Sequence, residues 1–334
     1  MNICKHIVIA IVLSVICSAC DFVDYYYDYT PTLVAEDPIL NPDSEYIVVI
    51  GDIQEYTANP DYYEYLGATM DWILSQYKYG AKIKCILQTG DLTWSNVPVH
   101  YDVFLNCAYP VAGLVPYVSC TGNHDYDWNE ASIIGDRNTT LFSQYTSFDL
   151  VKAKLVAQFE PDRMENIIVS NIIHNQRYDI ISLEFGPREE VVQWVRNHVQ
   201  ENPDVKYILM THEYLTHKGD RIVTGSSASA QLISLSYNSP EQLWQKVVKD
   251  NDNIVCVLCG HNGFSQHSFS SNSAGRDVAQ ILFNVQYLAN GGDGWIQLWE
   301  FPAEGDYVNV DTYNVIKRRF HTGEHHSFQF KYKY

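Results

Sequence analysis

Basic residues are scarce in this sequence: 22 lysines and arginines face 40 aspartates and glutamates, a formal net charge of −18. A surface of that sign repels polyanions, which argues against long nucleic acid as a partner. A disulfide framework is also missing. Of eight cysteines, Cys4, Cys17 and Cys20 belong to the extreme N-terminus, leaving Cys85, Cys107, Cys120, Cys256 and Cys259. An odd remainder does not pair off, and all but Cys107 fall in apolar runs where cysteine acts as a small hydrophobe. Cys256 and Cys259 have zinc-like spacing, but positions three apart in a strand face opposite ways. The apolar run at 7–16 is too short for a comfortable membrane span. No internal repeat is present. What the chain does have is 46% hydrophobic and 13% aromatic residues over 334 positions, enough for one large α/β domain with a sizeable core.

The N-terminus is laid out for export. Lys5 and His6 precede the apolar run, and the small residues Ser18 and Ala19 follow it, the order of a secretory signal. Cys20 comes next, so the stretch resembles a bacterial lipoprotein signal, although Cys17 stands where that pattern usually has leucine. The resemblance implies an exported lipoprotein anchored through Cys20, at the bacterial outer membrane or cell surface. Ordinary secretion with cleavage near Ala19 is the alternative. Loss of residues 1–19 removes Lys5 and no acid, giving 21 − 40 = −19.

Four segments are expected: a signal at 1–19, an acidic Tyr- and Pro-rich tether at 20–44, a catalytic domain at 45–302, and C-terminal strands at 303–334 completing the sheet. β-Branched runs predict strands at 46–50, 83–88, 117–120, 167–173, 178–185, 207–210, 254–259, 279–284, 295–301 and 308–313. Helical periodicity predicts helices at 62–77, 99–112, 187–200 and 240–249, the last opened by Ser239, Pro240 and Gln242 as cap, first-turn proline and capping-box partner. The fold class is therefore α/β, a layered sandwich of mixed sheets flanked by helices. Few long helices separate the later strands, so the second sheet is expected to be mostly antiparallel. Segments 126–148 and 218–237 are expected to be loops shaping a site, and Asn138-Thr-Thr is a glycosylation sequon.

Five strands end in polar residues: Gly51-Asp52-Ile53-Gln54, Gly90-Asp91, Gly122-Asn123-His124-Asp125, Thr211-His212-Glu213 and Gly260-His261. Ligand crevices of α/β folds lie at carboxyl ends of strands, so these tips can converge. Asp, Asn and His together offer oxygen and nitrogen ligands suited to hard or borderline divalent ions.

In this order the motifs resemble the calcineurin-like metallophosphoesterase family, over about residues 46–302, with Gly-Asn-His-Asp the most specific piece. The resemblance implies a metallophosphatase-like fold and one or two divalent ions (Mn, Mg, Fe, Zn or Ca). It implies metal ligands at Asp52, Gln54, Asp91, Asn123, His212 and His261. Asp91 would bridge two ions; Asn123, His212 and His261 would complete one site, and Asp52 would belong to the other. His124 would be catalytic, protonating the departing oxygen or steadying the phosphate, tasks an imidazole can perform. Two neighbouring ions polarise a phosphoryl group and generate hydroxide near neutral pH. Asp125 is expected to orient its loop, and Glu213 is a candidate for holding a ligand in place.

Two positions depart from the common pattern. Gln54 replaces the histidine of Asp-x-His, and Gly263 the last histidine of Gly-His-x-His. Both losses fall on the Asp52 site, which becomes oxygen-only, weaker, and biased towards Mg²⁺, Mn²⁺ or Ca²⁺; His267 is a candidate replacement. The chain resembles a bacterial branch with these variants, other resembling elements being Thr211-His-Glu-Tyr214 and the late Val285-Gln-Tyr with Gly291-Gly-Asp-Gly-Trp295. The function implied is hydrolysis of a small phosphate mono- or diester outside the cytoplasm. The alternative is a catalytically impaired, single-metal ligand-binding lipoprotein.

Overall fold

The computed structural model describes residues 40–334, apart from 130–133, 136, 138–139, 148, 152–153, 226–236 and 264. The export signal, Cys20 and Asn138 lie outside the described residues, as do parts of both expected loops. Residues 40–44 do not behave as a tether. Leu40 is buried, its N–H points to Gln76 Oε1 at 3.4 Å, and Ser44 Oγ donates to Glu300 at 2.7 Å. The apolar Leu40 side chain gives this stretch a reason to pack.

The chain opens with β1 (Glu45–Ile50), passes through α1 (Gln54–Ala58) and α2 (Tyr63–Lys78) to β2 (Lys82–Gln88), then through α3 (Pro98–Ala112) to β3 (Tyr117–Ser119). These three strands are parallel neighbours. A small ladder of β4 (Trp128–Asn129) and β5 (Ile134–Gly135) and a short helix α4 (Phe142–Tyr145) lead into the second half. There β6 (Leu155–Gln158), β7 (Ile167–Val169), β8 (Ile172–Ile173) and β9 (Gln176–Ser182) precede α5 (Glu189–Glu201) and β10 (Lys206–Met210). Next come α6 (Pro240–Leu243), β11 (Ile254–Cys259), β12 (Gln266–Ser271) and β13 (Asp277–Leu282). The chain returns to the first sheet with β14 (Trp295–Phe301), β15 (Tyr307–Asn314), β16 (Arg319–Phe320) and β17 (Ser327–Lys331).

Two mixed sheets result. One runs β16-β15-β14-β1-β2-β3 with β17 paired to β15; the other runs β12-β13-β11-β10-β9-β7-β6 with β8 paired to β9. The expectation of a mostly antiparallel second sheet fails at its centre, because β9, β10, β11 and β13 are parallel neighbours. Helix α5 carries the crossover from β9 to β10, the long connection that includes α6 carries the one from β10 to β11, and β12 returns the chain between β11 and β13. Antiparallel pairing is left to the edges, β12 on one side and β7 and β6 on the other.

Side-chain alternation divides the interior. In β10, Ile208 and Met210 join the core between the sheets, while Tyr207 and Leu209 face α5 and α6. Cys256 and Cys259 fall in these two different cores, and the five cysteines among the described residues are free. The outer core is sealed by Val191, Val192, Val195 and Val199 of α5, a helical stripe in which each buried valine contributes roughly 1.5–3 kcal/mol. The Ser239–Gln242 capping box forms as expected, but the helix it opens continues as a π-turn at Trp244–Val248. The layers are helices, sheet, sheet, helices, with the carboxyl ends of β1, β2, β3, β10, β11 and β13 meeting at one edge.

Candidate metal centre

Three side chains from three strand ends meet at that edge. Asp91, His212 and His261 present ligand atoms that all lie within 4.8 Å of one another, the one such group of three found among the described residues. His212 Nε2 lies 3.3 Å from Asp91 Oδ2 and 3.1 Å from Asn123 Oδ1. Its Nδ1 meets the Thr89 carbonyl oxygen at 2.8 Å. A carbonyl only accepts, so Nδ1 carries a hydrogen and Nε2 is the nitrogen aimed at Asp91 and Asn123. Phe185 packs against both imidazoles, 5.7 and 5.9 Å between ring centres.

The turns that deliver these groups are tight. Asp91 and His261 take φ of 52° and 68°, left-handed values that cost energy for non-glycine residues. The glycines needed here are those allowing close approach. A Cβ on Gly122 would overlap the Asp91 carboxylate, and one on Gly260 the Asp52 carboxylate.

Asp52 lies beside this group, its Oδ1 3.9 Å from His212 Nδ1. Its oxygens accept from Thr89 Oγ1 at 3.1 Å, the His261 N–H at 3.0 Å, Asn284 Nδ2 at 2.7 Å and Gln286 Nε2 at 3.0 Å. Asn284 and Gln286, in the turn after β13, were not among the expected site residues. The signal was a sixth strand ending in polar residues, without the glycine that marked the others. Gln54 donates through Nε2 to Asp91 Oδ2 at 3.0 Å and to Gln286 Oε1. Its Oε1 is buried and has no hydrogen-bond partner among the described residues. His267 does not come to the centre; its ring stacks on Phe328 at 3.9 Å, and its Nδ1 is 3.3 Å from His325 Nδ1.

Charge in the pocket is tightly shared. Burial raises the Asp52 carboxyl to about 8, helped by Asp91 and opposed by His212. Burial acts on Asp91 too, but the His212 charge and hydrogen bond outweigh it and hold that carboxyl low, at about 2. Asp91 and Asp52 overcome burial to lift His212 to about 10. Burial and the nearby His212 charge push His261 down to about 3, so it is neutral. With Asp52 kept in its acid form, Asp91 ionised and His212 an imidazolium, the pocket holds protons where a divalent cation would sit, and such a cation would take the place of those on Asp52 and His212. The donor types and the unpartnered Gln54 oxygen both fit a cation there.

His124 sits at the rim. Its N–H donates to Asp91 Oδ1 at 2.9 Å, its Nδ1 donates to the Trp94 carbonyl at 2.8 Å, and its ring lies 4.8 Å from the exposed Trp94 ring. Asp125 orients the loop as expected: it accepts from the Gly122, Leu92 and Thr93 N–H groups at 2.8, 3.3 and 3.0 Å. Glu213 is buried, with Oε1 3.8 Å from His261 Nε2.

A family model described as calcineurin-like phosphoesterase matches residues 46–296. An uncharacterized protein of Bacillus subtilis, YvnB, is 24% identical over 308 residues, covering 87% of this chain; the chain spans only 21% of that relative's length. Among solved structures, a 5'-nucleotidase precursor from Thermus thermophilus shares 11% identity over 86% of this chain and 55% of its own, with a TM-score of 0.41. PhoD shares 11% over 88% of this chain and 70% of its own, with a TM-score of 0.44.

Proposed function

This chain belongs to the calcineurin-like phosphoesterase family, and we propose that it hydrolyses a small phosphate mono- or diester outside the cytoplasm, using divalent cations held at the strand-end cluster. The observation that carries the reading is the convergence of Asp91, His212 and His261 within 4.8 Å. With Asn123, whose Oδ1 meets His212 Nε2, they would hold one ion. Asp52 and Gln54, sharing Asp91, would hold a second. When bound, such ions polarise the phosphoryl group and make water acidic enough to supply hydroxide near neutral pH.

The chain's own groups do the rest. The Thr89 carbonyl keeps a hydrogen on His212 Nδ1, so His212 offers Nε2. Because His124 Nδ1 donates to the Trp94 carbonyl, its Nε2 is the atom available to pass a proton to the departing oxygen. Asp125, by gathering three N–H groups of the Asp91 and Asn123 loops, keeps His124 and Asp91 in fixed relation. Export and a lipid at Cys20, which would bring the enzyme to a membrane, are part of the proposal and rest on the order of Lys5, the apolar run, Ala19 and Cys20.

Purified protein supplied with Mn²⁺ should cleave an aryl phosphate, and Asp91→Asn should abolish both turnover and bound metal. Undiminished turnover in that variant would remove the reading. The saturation of Asp52 by four donors favours a second reading, a single-metal binding protein without turnover. It would show as one tight ion and no cleavage of any ester tried.

A further inference from the structure

We propose that Gln286 takes over the place of the histidine absent at position 263 and, with Asp52, Gln54 and the shared Asp91, forms an all-oxygen site for a second, hard divalent cation. This rests on the reading above that the centre holds cations for ester hydrolysis. Three observations on different residues support it.

The first is the arrangement of amides. Gln54 Nε2 lies 3.0 Å from Asp91 Oδ2 and bonds Gln286 Oε1, while Gln286 Nε2 lies 3.0 Å from Asp52 Oδ2. The two glutamines thus link the two carboxylates from end to end. A separation of about 3 Å is also the spacing of adjacent oxygens around an octahedral ion with bonds of about 2.1 Å.

The second is the Gln54 oxygen. With its nitrogen turned inward, Gln54 leaves a buried Oε1 without a donor among the described residues, a cost of roughly 1–3 kcal/mol. A half-turn of that amide exchanges its oxygen and nitrogen. It places an oxygen beside Asp91 Oδ2 and Gln286 Oε1, a cluster of acceptors that a cation reconciles.

The third is the space at position 263. A Cβ on Gly263 would come within 3.2 Å of the Tyr287 ring. The Tyr287 ring therefore crowds position 263, and its chain neighbour Gln286 brings its amide to Asp52. Carboxylate and amide oxygens without imidazole select Mg²⁺, Mn²⁺ or Ca²⁺, whereas the neighbouring site has two imidazoles.

The test is Mn²⁺ titration of the metal-free full chain, read by calorimetry, by metal content after dialysis, and by the electron paramagnetic resonance of coupled Mn²⁺ pairs. Wild type should take up two ions per chain with a coupled signal. Gln286→Leu should weaken the second ion by more than about tenfold, abolish the coupled signal and keep the first. Gln286→Glu, which restores an oxygen ligand, should hold two and guards against misfolding of the leucine variant. One ion in wild type, or two in Gln286→Leu with unchanged affinities, overturns the proposal. Ester cleavage is scored separately. Two ions without turnover would sink the hydrolase reading and leave the site standing; turnover with one ion would do the reverse.

Discussion

His212 donates from Nδ1 to the main-chain carbonyl of Thr89 at 2.8 Å, and this one bond decides which face of the imidazole meets Asp91. The ring is also the one cationic partner that both Asp91 and Asp52 use in the absence of metal. Removing it leaves the buried Asp91 carboxylate without its main counter-charge, which costs about 3–5 kcal/mol. His212→Ala should therefore lower the urea midpoint sharply in the presence of a chelator. In wild type, saturating Mn²⁺ should raise stability by about 2.7 kcal/mol at a hundredfold excess over its Kd. A His212→Ala protein as stable as wild type under chelation would show that the ring does not balance these charges.

The role given to His124 predicts a dependence on the leaving group. His124→Asn keeps a side chain of similar reach and removes the transferable proton. It should lower kcat on an alkyl phosphate by about 10²–10⁴-fold, and by much less on a nitrophenyl ester, whose departing oxygen needs little help. Metal content should stay unchanged. An equal loss on both esters would mean that the His124 ring is not the proton donor, since its main-chain N–H bond to Asp91 at 2.9 Å is present in the variant too.

Much of this centre could be read from local sequence because each strand-end residue carries its own marker. Asp52, Asp91, Asn123 and His261 each follow a glycine, and the structure gives the reason at three of them: Gly122 and Gly260 lie so close to the Asp91 and Asp52 carboxylates that no Cβ fits, and one on Gly90 would meet the His212 ring. Gln286 and Asn284 lacked such a marker. Their contact with Asp52 depends on β13 lying beside β11, a long-range pairing that no local pattern records. The parallel centre of the second sheet was missed for the same reason, since β12 runs back antiparallel to β13. Its sequence, Gln-His-Ser-Phe-Ser-Ser, reads as a polar loop because an edge strand has little apolar surface to bury.

Gly122→Ala tests the close approach directly. The added methyl must displace the Asp91 side chain, so the variant should lose roughly 1–3 kcal/mol. Affinity for the first Mn²⁺ should fall by more than the stability loss alone explains. Gly305→Ala is the contrast: nothing lies within 4 Å of its Cβ, and the strain of its φ of 105° is the only penalty. It should cost stability with no change in Mn²⁺ affinity. If Gly122→Ala binds Mn²⁺ as wild type does, the Asp91 carboxylate is not held where the structure places it.

A histidine group away from the centre gives a prediction about pH. His326 is half-buried with its Nδ1 3.3 Å from Thr312 Oγ1 and its ring 3.6 Å from that of His321. Burial, with the charges of His321 and His325, pushes its pKa down to about 4. The unfolded chain takes up this proton near 6.5, whereas the folded chain resists until about 4. Stability from this group is therefore intact above 6.5, falls as the pH drops from 6.5 to 4, and levels off below. After allowance for solvent screening the loss is about 1 kcal/mol. Carboxylates titrate in the same range, so the informative quantity is a difference: His326→Leu should lose less stability than wild type between pH 7 and 4, measured by urea unfolding. Parallel pH profiles for the two proteins would mean that His326 takes up its proton in the folded state as easily as in the unfolded chain.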